Sequence, residues 1–295
     1  MIDSRTASID EPARPRLPPW LKRPMVASGA LNAVERSVNV GGLHTVCVEA
    51  KCPNRGECFS RGTATFLILG NTCTRNCGFC GIRHGAPMPL DKDEPRRVVE
   101  AIWRMGIRHA VVTSVTRDDL ADGGAGQFAD VVRRIHSELP GVSVEVLVPD
   151  FAGNQEALET VFQTQPEVFN HNIETVPRLY AIARPQAVYQ RSLEILARAA
   201  ESKVSLKVKS GLMVGLGESV EEVGSTLAEM HDAGCSMVTI GQYLRPTQSQ
   251  LAVVEFVTPE RFDDYRDIAL SIGFTDVRSA PFVRSSYRAG ELVGD

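Results

Sequence analysis

From residue 65 onward, short runs of β-branched and apolar residues alternate with longer stretches whose apolar positions recur every three or four residues. The runs at 66–69, 110–115, 142–148, 168–172, 204–209 and 237–243 predict strands. The stretches between and after them predict helices over 95–105, 127–138, 155–162, 188–200, 220–233 and 259–272. The first carries Pro95 in its opening turn and Gly106 just past its end. Strict strand–helix alternation predicts parallel strands joined by helical crossovers. A closed eight-fold barrel takes about 250 residues, whereas about six β/α units fill residues 65–273 here. The expected fold is therefore α/β, a partial (β/α)6 TIM-like barrel open on one side, with its site at the C-terminal ends of the strands. An open side would admit a bulky substrate such as a protein-bound chain.

The flanks differ in character. Residues 1–24 are proline-rich and are expected to be extended, disordered or wrapped over the main domain. A short amphipathic segment follows at 32–40. The expected division is an N-terminal extension over 1–60, a barrel over 61–275 and a C-terminal extension over 276–295.

Composition narrows the class. With 43% hydrophobic and 23% charged residues the chain reads as an ordinary globular protein. No apolar run approaches the roughly 20 residues that span a bilayer, so no membrane association is expected. Met1-Ile2-Asp3-Ser4-Arg5 lacks a signal-peptide core, and the expected location is cytoplasmic. A net charge of −4 argues against nucleic acid as a partner. The local excess at Arg14, Arg16, Lys22 and Arg23 reads as a solvated tail. Seven cysteines in a reducing compartment are not a disulfide set. Six fall between Cys47 and Cys80, and the seventh, Cys235, reads as a small buried apolar residue.

Cys73-Thr74-Arg75-Asn76-Cys77-Gly78-Phe79-Cys80 has the spacing C-x3-C-x2-C, in a loop of small polar residues directly after an apolar strand. Three thiolates fill three corners of a cubane iron–sulfur cluster and leave one iron open. A zinc knuckle, a disulfide framework and a redox pair are the competing readings of close cysteines. This run resembles that of the radical S-adenosylmethionine (SAM) superfamily. The resemblance implies that the open iron binds the amino and carboxylate groups of SAM and that one electron cleaves SAM to a 5′-deoxyadenosyl radical.

Upstream, Cys47, Cys52 and Cys58 form C-x4-C-x5-C. These spacings exceed the tight turn usual for zinc thiolates, so the run reads as a second iron–sulfur site, against a structural zinc completed by His44. Two such triplets in this order resemble the lipoyl synthase family. So do Leu43-His44-Thr45-Val46-Cys47, Cys52-Pro53-Asn54-Arg55-Gly56-Glu57-Cys58, Phe169-Asn170-His171-Asn172-Ile173-Glu174-Thr175, Gly215-Leu216-Gly217-Glu218 and Val283-Arg284-Ser285-Ser286-Tyr287-Arg288-Ala289. Gln250-Leu251-Ala252 departs from the family's usual His-Leu-Pro, and Ile182-Ala183-Arg184-Pro185 differs modestly from its pattern.

The resemblance implies insertion of two sulfur atoms at C6 and C8 of an octanoyl chain on a carrier lysine, with SAM and two 4Fe-4S clusters as cofactors. Cys73, Cys77 and Cys80 would hold the SAM-cleaving cluster. Cys47, Cys52 and Cys58, with Ser286 (or, less favoured, Ser285) from the C-terminal extension, would hold the auxiliary cluster that donates sulfur. Implied partners are octanoylated lipoyl-carrier domains (2-oxoacid dehydrogenase E2 subunits and the glycine cleavage H protein), an electron donor such as ferredoxin or flavodoxin, and an iron–sulfur carrier protein for cluster repair.

Asn170, Asn172 and Glu174 alternate along one predicted strand and would share a face toward SAM or substrate. Asp118, with Asp119, Gly123 and Gly124, follows a strand and would reach the SAM amino group or cap a helix. Arg184 would bind the SAM carboxylate or lie on the surface, and Lys207 is a further cofactor-binding candidate. Gly215-x-Gly217 lacks the third glycine of a dinucleotide fingerprint and reads as a strand-to-helix turn near SAM. The alternatives are a biotin-synthase-like sulfur-inserting enzyme and a non-catalytic metal-binding protein.

Overall fold

The computed structural model describes residues 16–22, 36, 38, 41–61, 64–202, 204, 206–287 and 289–292. Its main sheet has eight strands in sequence order: β1 (His44–Thr45), β2 (Thr65–Ile68), β3 (His109–Ser114), β4 (Ser143–Leu147), β5 (Val168–Asn170), β6 (Lys207–Val214), β7 (Met237–Gln242) and β8 (Asp276–Ser279). β2 to β8 pair in parallel; β1 runs antiparallel to β2. The two edge strands, β1 and β8, do not pair, so the barrel is open. A two-residue ladder, Thr72–Cys73 on Arg83–His84, stands apart.

Crossovers come from α1 (Glu94–Met105), α2 (Ala125–Glu138), α3 (Gln155–Phe162), α4 (Tyr189–Ala200), α5 (Val220–Asp232) and α6 (Pro259–Ile272). This is the six-unit partial barrel that the alternation predicts. Local chemistry sets the ends of these helices. Gly106, at φ 62°, closes α1 in the left-handed region that glycine enters without strain. Ser219 and Glu222 form a reciprocal capping box at the start of α5. Thr258 accepts from the Arg261 N–H ahead of Pro259 in α6.

β2 is buried at all four positions and β7 at all six, as parallel strands covered on both faces should be. Phe66, Ile102, Phe128, Val146, Leu158, Phe169, Leu227 and Ile240, each fully buried, belong to one continuous core.

Differences from the sequence reading concentrate at the edges. The strand expected at 204–209 runs instead from Lys207 to Val214, carried through Gly211 by its pairing with Thr239 of β7 on one side and by the Glu174 N–H on its carbonyl at 2.9 Å on the other. β1 and β8 were not expected; each has only one neighbour to pair with. The strand expected at 168–172 ends at Asn170, and Glu174, at φ 71°, rejoins the sheet only through an isolated bridge to Leu212.

Of the proline-rich N-terminal stretch, Pro19–Leu21 form a 3-10 turn and the Trp20 indole donates to the Val257 carbonyl at 3.2 Å. Arg14, Arg23 and the other residues of 1–15 and 23–24 lie outside the described residues, as does the amphipathic segment 32–40 except for residues 36 and 38. Among the described residues no helix is long and apolar enough to cross a membrane.

Candidate iron–sulfur and SAM site

The loop from Cys73 to Cys80 leaves the C-terminal end of β2 and is tied down from three directions. Thr74 N–H donates to the Thr116 carbonyl at 3.0 Å, Gly78 N–H to Ala183 at 2.9 Å, and Leu251 N–H to Gly78 at 2.8 Å. Gly78 could not be larger, since a Cβ there would lie 2.7 Å from the Ile182 carbonyl oxygen. Cys73 Sγ accepts from the N–H groups of Arg75 (3.4 Å) and Thr116 (3.3 Å).

Arg75, inside the loop, was assigned no role from the sequence. It is buried, gripping Asp118 through two bonds (2.7 and 2.8 Å) and Asp150 through one (2.6 Å). Asp118 therefore serves the loop. It is no helix cap, because α2 begins at Ala125 after Gly124. Asp119 pairs with Arg117 at 2.8 Å. A lone arginine inside a cysteine run was the available signal for this anchor.

The second triplet sits on two short helices, α7 (Val46–Glu49) and α8 (Arg55–Ser60), that lead into and out of Cys52. The C-terminal segment reaches back to the same place. Asn54 Nδ2 donates to the Phe282 carbonyl (2.7 Å), Tyr287 Oη to Glu57 Oε1 (2.7 Å), and Thr65 Oγ1 to Ser286 Oγ (2.7 Å). Thr65 is also the residue whose backbone meets the Cys47 thiol. Ser285 turns the other way, to Asn170 (3.1 Å) and Asn172 (2.6 Å).

A cavity of about 600 Å³ joins the two halves. Cys47, Cys52, Cys58 and Ser286 line it together with Cys80, Asn172 and Glu174, and Leu67, Phe79, Leu212 and Met213 add apolar wall. Burial pushes the Cys47 and Cys80 thiols up to about 12 and Cys77 to about 11. Thiols held protonated this firmly ionise when a metal takes the proton's place. Three thiols in each set, with a serine hydroxyl beside the second, are the donors an iron–sulfur cluster takes, and the residues present fit that group. His44, the alternative zinc ligand, instead bonds Glu49 through Nδ1 at 3.0 Å.

Arg184 is half-buried beside the first triplet. It donates to the carbonyls of Asn172 (3.0 Å) and Ile173 (3.4 Å) and to Tyr180 Oη (3.0 Å). Burial opposes its charge, but Tyr180, Glu174 and Cys77 nearby hold its pKa above the ordinary value. Burial raises Glu174, with Arg184 opposing, and Asn172 Nδ2 donates to its Oε1 at 3.1 Å. His171, between these residues, is fully buried and held neutral by that burial, down to about 4; it bridges Val148 (2.9 Å) and Ser192 (3.0 Å).

Lys207 needs correction. It is exposed at the N-terminal end of β6 and is not among the cavity-lining residues, because the strand starts where the sequence reading had it nearly finished. Lys209, two residues on, points inside and is fully buried against Glu145. The Gly215 turn is filled by its own chain: Glu218 accepts from the N–H groups of Gly215 and Leu216, leaving no nest for a phosphate. Cys235 is buried, with its thiol on the Met237 carbonyl at 3.1 Å.

An open parallel barrel with a three-cysteine loop at the C-terminal end of its first parallel strand is the architecture of the radical SAM superfamily, whose model matches residues 67–230. Solved structures agree on the fold. Methylornithine synthase superposes with a TM-score of 0.53 at 15% identity, covering 85% of this chain and 78% of that one. Streptococcus suis SuiB bound to S-adenosylmethionine gives 0.58 at 10% identity over 77% of this chain and 54% of its own.

Sequence relatives go further. Lipoyl synthase of Caldanaerobacter subterraneus subsp. tengcongensis is 55% identical over 93% of this chain and 96% of its own length. That of Rubrobacter xylanophilus is 51% identical over 94% and 87%. The chain belongs to the lipoyl synthase family. It is a radical SAM sulfur-inserting enzyme with SAM and 4Fe-4S clusters as cofactors and a protein-bound octanoyl group as substrate.

Proposed function

We propose that Cys73, Cys77 and Cys80 hold the cluster that acts on SAM, and that Cys47, Cys52, Cys58 and Ser286 hold the auxiliary cluster that gives up sulfur to C6 and C8 of the octanoyl chain. The observation that carries this reading is the single cavity lined by Cys80 from one set and by Cys47, Cys52, Cys58 and Ser286 from the other. When bound, SAM and the clusters supply one-electron cleavage, removal of hydrogen from unactivated carbon, and the inserted sulfur.

The chain's own residues bind, orient and exclude water. Arg184, cationic beside Cys77, suits the SAM carboxylate. Asn172 and Glu174, side by side on the cavity wall, suit its amino group. Leu67, Phe79, Leu212 and Met213 offer the octanoyl chain an apolar path past both clusters. Arg75 holds the loop through Asp118 and Asp150. Asn170, whose amide nitrogen donates to both Glu145 and Ser285, acts on the C-terminal segment. The carriers are octanoylated 2-oxoacid dehydrogenase E2 and glycine cleavage H domains in the cytoplasm. Ferredoxin or flavodoxin is the electron source, and an iron–sulfur carrier protein performs the repair.

The test is anaerobic reconstitution followed by single turnover on an octanoyl-lysine peptide. The expected result is two four-iron clusters, a dithiolated product, and loss of iron and sulfide from one cluster only. Deoxyadenosine release with no sulfur incorporated would refute the assignment.

A further inference from the structure

On the reading that Ser286 completes the Cys47, Cys52 and Cys58 site, the segment carrying it must be held while its neighbour's hydroxyl is kept away from iron. Residues 283–285 lie in a groove over β6 and β7 made by two small residues. A Cβ on Gly241 would sit 2.0 Å from the Val283 carbonyl oxygen, and one on Gly211 would meet Thr239 Oγ1 at 2.8 Å, Asn172 Oδ1 at 2.9 Å and Ser285 Oγ at 3.3 Å.

Within that groove Ser285 is doubly engaged, accepting from Asn170 Nδ2 at 3.1 Å and donating to Asn172 Oδ1 at 2.6 Å. The direction of these bonds is imposed from below. Asn170 is fully buried, and its Nδ2 also donates to Glu145 Oε1 at 2.9 Å. Lys209 Nζ holds both oxygens of that carboxylate at 3.0 and 2.9 Å, the two side chains being 0% and 1% exposed. Flipping the Asn170 amide would turn its oxygen onto an ionised carboxylate, so its N–H must face Ser285. Ser285 then has to give its own proton to Asn172, and Asn172 passes the polarity on to Glu174 at 3.1 Å. Ser286, one residue on, accepts from Thr65 at 2.7 Å beside Cys47.

We propose that Asn170 and Asn172, braced by the Glu145–Lys209 pair, form a latch whose function is to lock Ser285 and so present Ser286 to the cysteine triplet. These are positioning residues of the sulfur-donor site. The same hydrogen-bond chain ends on Glu174 at the SAM side, so the segment is registered against both cysteine sets at once.

The latch can be read without any cluster. In metal-free, reduced protein, hydrogen exchange of residues 283–287 should quicken about tenfold or more in Asn170→Ala, the effect of losing one buried hydrogen bond. Gly241→Ala, which collides with the Val283 carbonyl, should do the same while exchange in α2 and α3 stays as in the wild type. Unchanged exchange at 283–287 in both variants overturns the latch.

After reconstitution, Asn170→Ala should retain the electron paramagnetic resonance signal of the reduced Cys73–Cys80 cluster and fall from about eight to about four irons per chain. Retention of about eight irons with wild-type spectra overturns the positioning role. Ser286→Ala separates the two readings, because it should lose the auxiliary cluster with the segment still protected. If it keeps both clusters the ligand assignment fails, while the exchange data still decide the latch.

Discussion

Arg75→Met removes a guanidinium that spans two carboxylates under the Cys73–Cys80 loop, and its cost can be worked out in two ways. The Asp118 side chain is 37% exposed, so that pair contributes only about 0–1 kcal/mol. The Asp150 side chain is 0% exposed, and stripping a buried carboxylate of its partner costs about 3–5 kcal/mol. The lower end applies here, because Arg191 remains 3.2 Å from its other oxygen.

The second route is titration. Burial would raise Asp150, but the Arg75 hydrogen bond and charge outweigh it and hold the carboxyl at about 2, against an ordinary 3.8. A shift of that size, to which the Ala152 N–H and His171 add smaller parts, corresponds to about 2.5 kcal/mol. A folded-state pKa below the unfolded one means stability present above about pH 4 and lost as pH falls toward 2. Without Arg75 burial prevails, Asp150 titrates higher, and the variant regains stability as its carboxyl protonates.

The expected loss is therefore about 3 kcal/mol near pH 7 and clearly less near pH 4, measured by urea unfolding of the metal-free, reduced protein. Adding Asp150→Asn to Arg75→Met should recover a large part of it. A loss below about 1 kcal/mol at pH 7, or one equal at both pH values, would refute the reasoning.

Other consequences can be checked individually. Lys209→Met strands Glu145 in the interior and should cost about 3–5 kcal/mol in chemical unfolding, largely restored by pairing it with Glu145→Gln. Lys207→Ala, at an exposed strand end, should change unfolding free energy by no more than about 0.5 kcal/mol and leave the KM for SAM unaltered; a raised KM would return this residue to the site. Gly215→Ala puts a Cβ 2.2 Å from Gln242 Nε2 and 2.5 Å from the Glu255 carbonyl oxygen at a φ of 103°, and should lower stability by about 2 kcal/mol or more. Cys52→Ala should still release deoxyadenosine reductively yet yield no lipoyl product; a normal yield would remove this triplet from the sulfur-donor role.

Much of this protein is determined by sequence alone. Six apolar runs and six periodic stretches, punctuated by Gly106, Ser219 and Thr258, define the β/α units, because parallel strands must be apolar on both faces and helix ends need local caps. The two cysteine spacings and the motifs around them carry the family and hence the chemistry, since iron ligation demands those residue types.

The tertiary structure decided whatever depends on pairing across long separations. Asp276–Ser279 has little strand character of its own and is a strand only because Met237–Ile240 offers it a ladder. His44–Thr45 is held in the same way by Phe66–Leu67. Lys207 and Lys209 look alike in sequence and share a face of β6, but one stands at the exposed N-terminal end of the strand and the other a repeat further in, against Glu145. Ser285 and Ser286 are neighbours of one type, and only the fold, by setting Asn170 against one and Thr65 against the other, gave them different partners. No local propensity encodes such a choice, because the energy that makes it comes from groups the chain brings together only once it has folded.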